Sequence, residues 1–537
     1  MIPTGEGLII CPQPLAASAG GRILERGGNA VDGAVAAALA QGVVDPMMCG
    51  LGGTARALIY VRSRDATEMF AGRPYAGRLA RPDSFEYERS WELYLNRHDV
   101  HGAANYLGHT AAVVPTALRV LYDVHSHAGA LPWRTVVEPA ITLAHDGFTV
   151  YPYLYRHWSD EAEAAAGDYG PLPRARLTAN AEAEAIYLNG DRVFKVGEHL
   201  RQPDYGRTLE KIASRGADAL YRGEIAEMIA ADFAIHGGFV TLDDLHSAKT
   251  VETRMLLGTY QDATVVTDAP PAAGHSYIQA LNILEAVDAL RLRDPVSYWD
   301  MLARIFHATY VFRGKYSGDP SFVDVPLDEF LSKHRASELA AGLDTAVEAP
   351  SALTENLPRE STSSVSVVDR FGNAVILTHS NGSSAGVVTP GLGFLYNNHM
   401  HNFDPRPGLR NSIAYGKIPD HGTPMVMWFR DWELIGLDGS LSRFAFTADL
   451  QVTLAIDRGV DPQIAVEAPR LHAEYAPGRL YVEPDFPADV LHGLEERGWA
   501  STTREMTAPL GLIRKTATGV IGALDPRGGQ GRWPEHE

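Results

Sequence analysis

Glu360-Ser361-Thr362-Ser363-Ser364-Val365-Ser366-Val367-Val368-Asp369 is the stretch from which the fold is read. From Ser364 to Asp369 small polar and branched apolar side chains alternate, the two-residue period of a β-strand. Arg370-Phe371-Gly372-Asn373 follows as a turn, and Ala374–Thr378 is again apolar and β-rich. Together they predict a hairpin. A threonine therefore stands immediately before a strand, in a Ser/Thr-rich run. Taken alone, that is also the composition of an ordinary structural turn.

Outward from the hairpin, the chain before about Ala349 reads as mainly helical. Helices are expected over Pro14–Arg26, stopped by Gly27-Gly28, and from Asn29 to Val44, with Asn29 as the cap. Others are expected over Pro115–His125, Trp133–Asp146, Ile225–His236, Ser276–Ala289 and Tyr298–Lys315. After the hairpin, Phe444–Arg458 and Ala488–Gly498 read as helices, and Leu480–Glu483 and Gly519–Leu524 as strands. A helical first portion and a mixed second portion suggest an α/β sandwich built from both. Gly50-Leu51-Gly52-Gly53 lacks the dinucleotide fingerprint and reads as a turn.

The 537 residues, 45% hydrophobic, are ample for a large core, and length alone would suggest three or four domains. A formal charge of −19 repels phosphate backbones and argues against a nucleic-acid partner. Two cysteines, Cys11 and Cys49, exclude a disulfide framework; a single bridge stays open, with two buried thiols as the expectation. No signal peptide and no stretch of membrane-spanning length is visible, so the expectation is a cytoplasmic protein with no membrane partner.

The stretch around Thr362 resembles the processing site of the gamma-glutamyltransferase family of N-terminal-nucleophile (Ntn) hydrolases. Five further segments are similar and occur in the family's order. They are Gly27–Asp32 with Gly50–Gly53, Pro270–His275 with Asn282–Glu285, Lys315–Pro320 with Phe322–Pro326, Asn397–Met400, and Asp525–Gly529. The resemblance implies an α+β fold, the Ntn-hydrolase αββα sandwich. It implies a proenzyme cut between Ser361 and Thr362 into a helix-rich large subunit, 1–361, and a mixed small subunit, 362–537, packed as one compact unit. The partners are then the two subunits and a small-molecule amide, with no cofactor and no metal; a homo-oligomer is left open.

The chemistry follows from the terminus. A threonine hydroxyl needs an adjacent base. The α-amino group freed by cleavage has an ordinary pKa near 8 and lies beside that hydroxyl, so it can take the proton. The resemblance further implies that Ser380 hydrogen-bonds the nucleophile and that Asn381 contacts substrate. It implies that Arg73 grips a substrate carboxylate, a task suited to a planar guanidinium. Backbone N–H groups of Ser440 and Leu441 would form the oxyanion hole, although the family has glycines there.

The pocket departs from the family. Asp420 and His421 replace two serines that bind the substrate carboxylate, and an aspartate there would repel it. His399 and Asn402 stand where the family meets the α-amino group, and Asn402 lacks the acid's charge. Four readings stay open: γ-glutamyl hydrolysis or transfer; hydrolysis of another small carboxylate-bearing amide, oxamate-like or acyl-amide; a metal hydrolase using His379, His399, His401 and His421; and a binding protein of the same fold without catalysis.

Overall fold

The computed structural model describes residues 2–3, 7–90, 98–160, 171–288, 292–343, 362–440, 444–506, 510–517 and 519–534. The predicted hairpin is present: Ser363–Val368 pairs antiparallel with Ala374–Ser380, Ser363 opposite His379 and Val368 opposite Ala374. Its outer neighbours are Thr54–Val61, which pairs with Ala374–Ser380, and Leu8–Cys11, which pairs with Ser363–Val368. Ala66–Gly72, Thr250–Glu252 and Gly531–Trp533 complete a seven-stranded sheet with the hairpin at its centre.

A second seven-stranded sheet runs Ile2–Pro3, Gly519–Leu524, Leu510–Thr516, Glu433–Ser440, Met425–Arg430, Ala263–Asp268, Met255–Tyr260. The inner faces of the two sheets meet in a core that includes Leu8, Leu58, Ile376, Met427, Leu437 and Ile513. Gly439 sits between them, facing the hairpin strand. A Cβ there would lie 2.8 Å from both the Ser364 and the Ser366 Oγ.

Helices cover both outer faces. Pro14–Glu25, Ala30–Val44 and Ala117–Ala128 pack on the hairpin sheet, and Gly274–Ala286 and Ala445–Asp457 on the other. Asn29 caps the Ala30–Val44 helix as expected: its side chain accepts from the Val31 and Asp32 N–H groups, and Asp32 accepts from the Asn29 N–H. All of this helix is buried, and its small side chains permit close packing. A Cβ on Gly20 would come within 2.5 Å of the Gly33 carbonyl oxygen, so the first two helices touch through glycine.

The layers are therefore αββα. Every helix expected from sequence is found, with ends that differ by a few residues. The first portion is more β-rich than its sequence suggested. Seven of the fourteen strands in the two sheets precede residue 361, and each sheet draws on both portions. The expected boundary between Ser361 and Thr362 falls at the edge of residues 344–361, which lie outside the described residues. Both cysteines are free and buried.

His275 is fully buried, with Nδ1 bonded to the Ala272 carbonyl and the ring edge-on to Phe330. Burial pushes its pKa down from 6.5 to about 3. A folded state that resists protonation keeps this contribution above pH 6.5 and loses it as pH falls towards 3. Asparagine at 275 does not titrate. The stability deficit of His275→Asn is therefore expected to shrink by about 2 kcal/mol between pH 6.5 and 5, at about 1.4 kcal/mol per pH unit. Denaturant unfolding of both proteins at the two pH values measures it; a deficit that stays constant would contradict the assignment.

Candidate active site

The same end of both sheets opens into a cavity of about 400 Å³. Strand ends supply its wall: Thr54, Gly72, Asp268 and Ser380 each begin or end a strand. Thr362 stands at its edge, half-buried, one residue before Ser363–Val368. Antiparallel pairing brings Ser380 alongside. The Thr362 hydroxyl donates to Ser380 Oγ at 3.3 Å, and that oxygen also accepts the Gly382 N–H at 2.8 Å.

Arg73, His399, Asn402, Asp420 and His421 also line the cavity. Residues from distant parts of the chain thus converge on one site. Arg73 follows the Ala66–Gly72 strand, and among the described residues no ion pair or side-chain hydrogen bond occupies its guanidinium. Such a group is ready for a carboxylate ligand.

His399 and Asn402 satisfy each other. Asn402 Nδ2 is 3.1 Å from His399 Nδ1, and His399 Nε2 is 3.2 Å from the Ser380 carbonyl oxygen. An amide donor on Nδ1 places the ring proton on Nε2, which then donates to Ser380. The pair brings no negative charge to the cavity.

Two expectations change. Asp420 is not a bare charge that would repel a carboxylate: it is buried against Arg313, Nη2 to Oδ2 at 2.9 Å, and accepts the Ser317 hydroxyl at 3.1 Å. Burial raises its pKa above 3.8, and Arg313 opposes that rise. Asn381 is fully buried, lies outside the cavity lining and donates through Nδ2 to the Pro46 carbonyl at 2.9 Å, so its amide nitrogen serves the scaffold.

The expected oxyanion donors are only half in view. Ser440 ends Glu433–Ser440 opposite Leu510, while Leu441 and the cleavage residue Ser361 lie outside the described residues.

The sequence reading missed a second ion pair in the wall. Arg56 is paired with Asp268 and donates to the Thr423 carbonyl at 3.0 Å. Arg56 stands in the apolar-looking run Thr54–Val61, and a charge inside a buried strand was the one available signal. Burial is the largest influence on His421 and drives its pKa well below 6.5, with Arg56 adding to the effect. The ring is therefore neutral, and its Nδ1 lies 3.3 Å from the Pro419 carbonyl.

Neither thiol competes for the nucleophile's role. Burial pushes Cys11 up to about 12 and Cys49 well above its ordinary 9.0, and a thiol is nucleophilic only as thiolate. Of the four histidines considered for a metal, all of which line the cavity, His379 Nε2 is engaged by Gln41 and His401 Nδ1 by the Asn398 carbonyl. Among the described residues three ligand-type side chains converge at His109, Asp232 and His236. Their two imidazoles stack at 4.4 Å and 9°, so no single ion can lie in both ring planes. The arrangement is that of hydrogen bonds to Asp232, which also accepts from Thr389 at 2.6 Å.

The sequence pattern described as gamma-glutamyltranspeptidase matches residues 16–534. The chain belongs to that family. Among its relatives, the acylase ACY 1 proenzyme of Pseudomonas sp. (strain V22) is 34% identical over 92% of this chain and 87% of the relative. The glutathione hydrolase proenzyme of Escherichia coli (strain K12) is 30% identical over 97% and 90%. In structure the family member is similar to cephalosporin acylase from Bacillus halodurans. The TM-score is 0.86 at 27% identity, covering 100% of this chain and 97% of the other. The Helicobacter pylori gamma-glutamyltranspeptidase gives 0.56 at 25% identity, over 66% and 97%. The chain is thus an enzyme of the Ntn-hydrolase fold whose relatives carry both acylase and glutathione hydrolase names.

Proposed function

We propose that this enzyme cuts itself before Thr362 and then hydrolyses a small amide whose acyl group carries a carboxylate but no ammonium. One observation carries the reading. Among the described residues nothing engages the cavity's Arg73, while two of the cavity's carboxylates, Asp268 and Asp420, are each tied to an arginine. Asn402, uncharged and bonded through Nδ2 to His399, offers an ammonium no opposite charge.

The first covalent step forms a bond from Thr362 Oγ to the substrate carbonyl carbon. The Thr362 amine takes the hydroxyl proton and passes it to the departing nitrogen as the C–N bond breaks. Water then attacks the ester, releasing the acid and restoring the hydroxyl. The proenzyme names of the relatives accord with a cut ahead of the nucleophile.

A second reading, γ-glutamyl hydrolysis, draws on the glutathione hydrolase relative. Glutaryl and γ-glutamyl 4-nitroanilides separate the two, because they differ by one ammonium. An unpaired ammonium in the cavity costs about 1–3 kcal/mol. The glutaryl anilide should therefore react with a kcat/KM about 5- to 150-fold higher. The absorbance of the released nitroaniline reads both rates. Preference for the γ-glutamyl compound would reverse the assignment.

A further inference from the structure

The two hydroxyls at the site have neighbours that are anchored to one loop. Ser363 follows Thr362, and Asn381 follows Ser380. Ser363 Oγ accepts from Gln13 Nε2 at 3.1 Å, and the same nitrogen donates to Asp45 Oδ2 at 2.6 Å. Asn381 donates through Nδ2 to the Pro46 carbonyl at 2.9 Å and through its backbone N–H to the Met48 carbonyl at 2.8 Å. Residues 45–48 therefore hold both strand ends, one through a side-chain relay and one directly.

The relay has a single consistent direction. Gln41 Nε2 donates to Gln13 Oε1. Gln41 Oε1 must then accept, so His379 Nε2, 2.8 Å away, is the donor. Burial pushes His379 down to about 3 and keeps the ring neutral. His379 is opposite Ser363 in the register. The bonds thus run from one hairpin strand through Gln41 and Gln13 to the other strand and to Asp45. Gln13, Gln41, Asp45 and Asn381 are fully buried, where an amide left without a partner is costly. Inverting one amide would leave several partners unmatched.

We propose that Gln13 and Asp45 are positioning residues: the relay from residue 45 to Ser363, with the Asn381 anchor, sets the distance between the Thr362 and Ser380 hydroxyls. This rests on Thr362 being the nucleophile. At 3.3 Å the two oxygens stand farther apart than the usual 2.7–2.8 Å, and an error of about 1 Å in placing a reacting group costs about 100-fold in rate. Gln13, Gln41, Asp45 and Ser363 lie outside the cavity lining, which the relay meets only at His379, so substrate affinity should not depend on Gln13 or Asp45.

The test measures two reactions of the same hydroxyl, self-cleavage by denaturing gel and acylation by a glutaryl anilide. Gln13→Ala and Asp45→Ala are expected to slow both by similar factors, about 10- to 100-fold, with KM within twofold of the parent. Asp45→Asn keeps an oxygen for the Gln13 N–H and should restore both rates. Ser363→Ala removes only the last acceptor and serves where the larger changes disturb folding, which a melting curve detects. Unchanged rates in folded variants, a change confined to KM, or Asp45→Asn failing as badly as Asp45→Ala would overturn the proposal. A Thr362→Ala protein that still turns over would remove the underlying reading instead, which keeps the two failures distinct.

Discussion

Thr362→Ala is expected to leave one uncut chain on a denaturing gel and to lower amide turnover by at least about 10⁴-fold. Both effects have one cause, since the hydroxyl that would cut the chain is the one that would carry the acyl group. No neighbour substitutes for it. Ser363 is buried on the relay side, its Oγ accepting from Gln13, and Ser380 Oγ already accepts from the Thr362 hydroxyl and the Gly382 N–H. Thr362 is half-buried at a strand edge, so losing its hydroxyl should leave the melting temperature nearly unchanged. Thr362→Ser retains a hydroxyl and should retain both activities at reduced rate. Intact mass spectrometry with substrate reads cleavage and acyl-enzyme together; two fragments from Thr362→Ala would end the assignment.

The second large effect is at Arg73. A bidentate guanidinium–carboxylate contact contributes about 1.5–3 kcal/mol, so Arg73→Met should lower kcat/KM for a glutaryl amide by about 10- to 150-fold. Arg73→Lys should recover only part, because an ammonium meets a carboxylate as a point charge and not as a planar fork. The control is the methyl ester of the same substrate. It presents no carboxylate, so the variants should handle it about as well as the parent does. An equal loss on acid and ester would place Arg73 outside carboxylate recognition.

The hairpin was legible because alternation is a local signal. Ser364–Asp369 and Ala374–Thr378 predict the strands that pair as Ser363–Val368 and Ala374–Ser380. Asn29 before an alanine-rich run was legible as a cap for the same reason. The strands of the first portion were harder to see. Thr54–Val61 and Ala263–Asp268 are interior strands, paired on both sides and largely buried, and a strand covered on both faces loses the alternation by which a half-buried strand is recognised. Asn381 illustrates a different limit. Its place next to Ser380 was clear, but the backbone carbonyl that occupies it, from Pro46, is far away in the chain.

The sequence by itself determined that a threonine precedes a central hairpin, that helices cover a sandwich made from both portions, and that Arg73, His399, Asn402, Asp420 and His421 belong to one set. What only the tertiary structure decided is the charge that set presents. Asp420 looks like an obstacle to an anion until Arg313, more than a hundred residues earlier, is found against it, and Arg56 is likewise tied to Asp268. Electrostatic energy depends on distance in space and on burial. A buried carboxylate's effect on a substrate is therefore set by whichever cation the fold brings beside it.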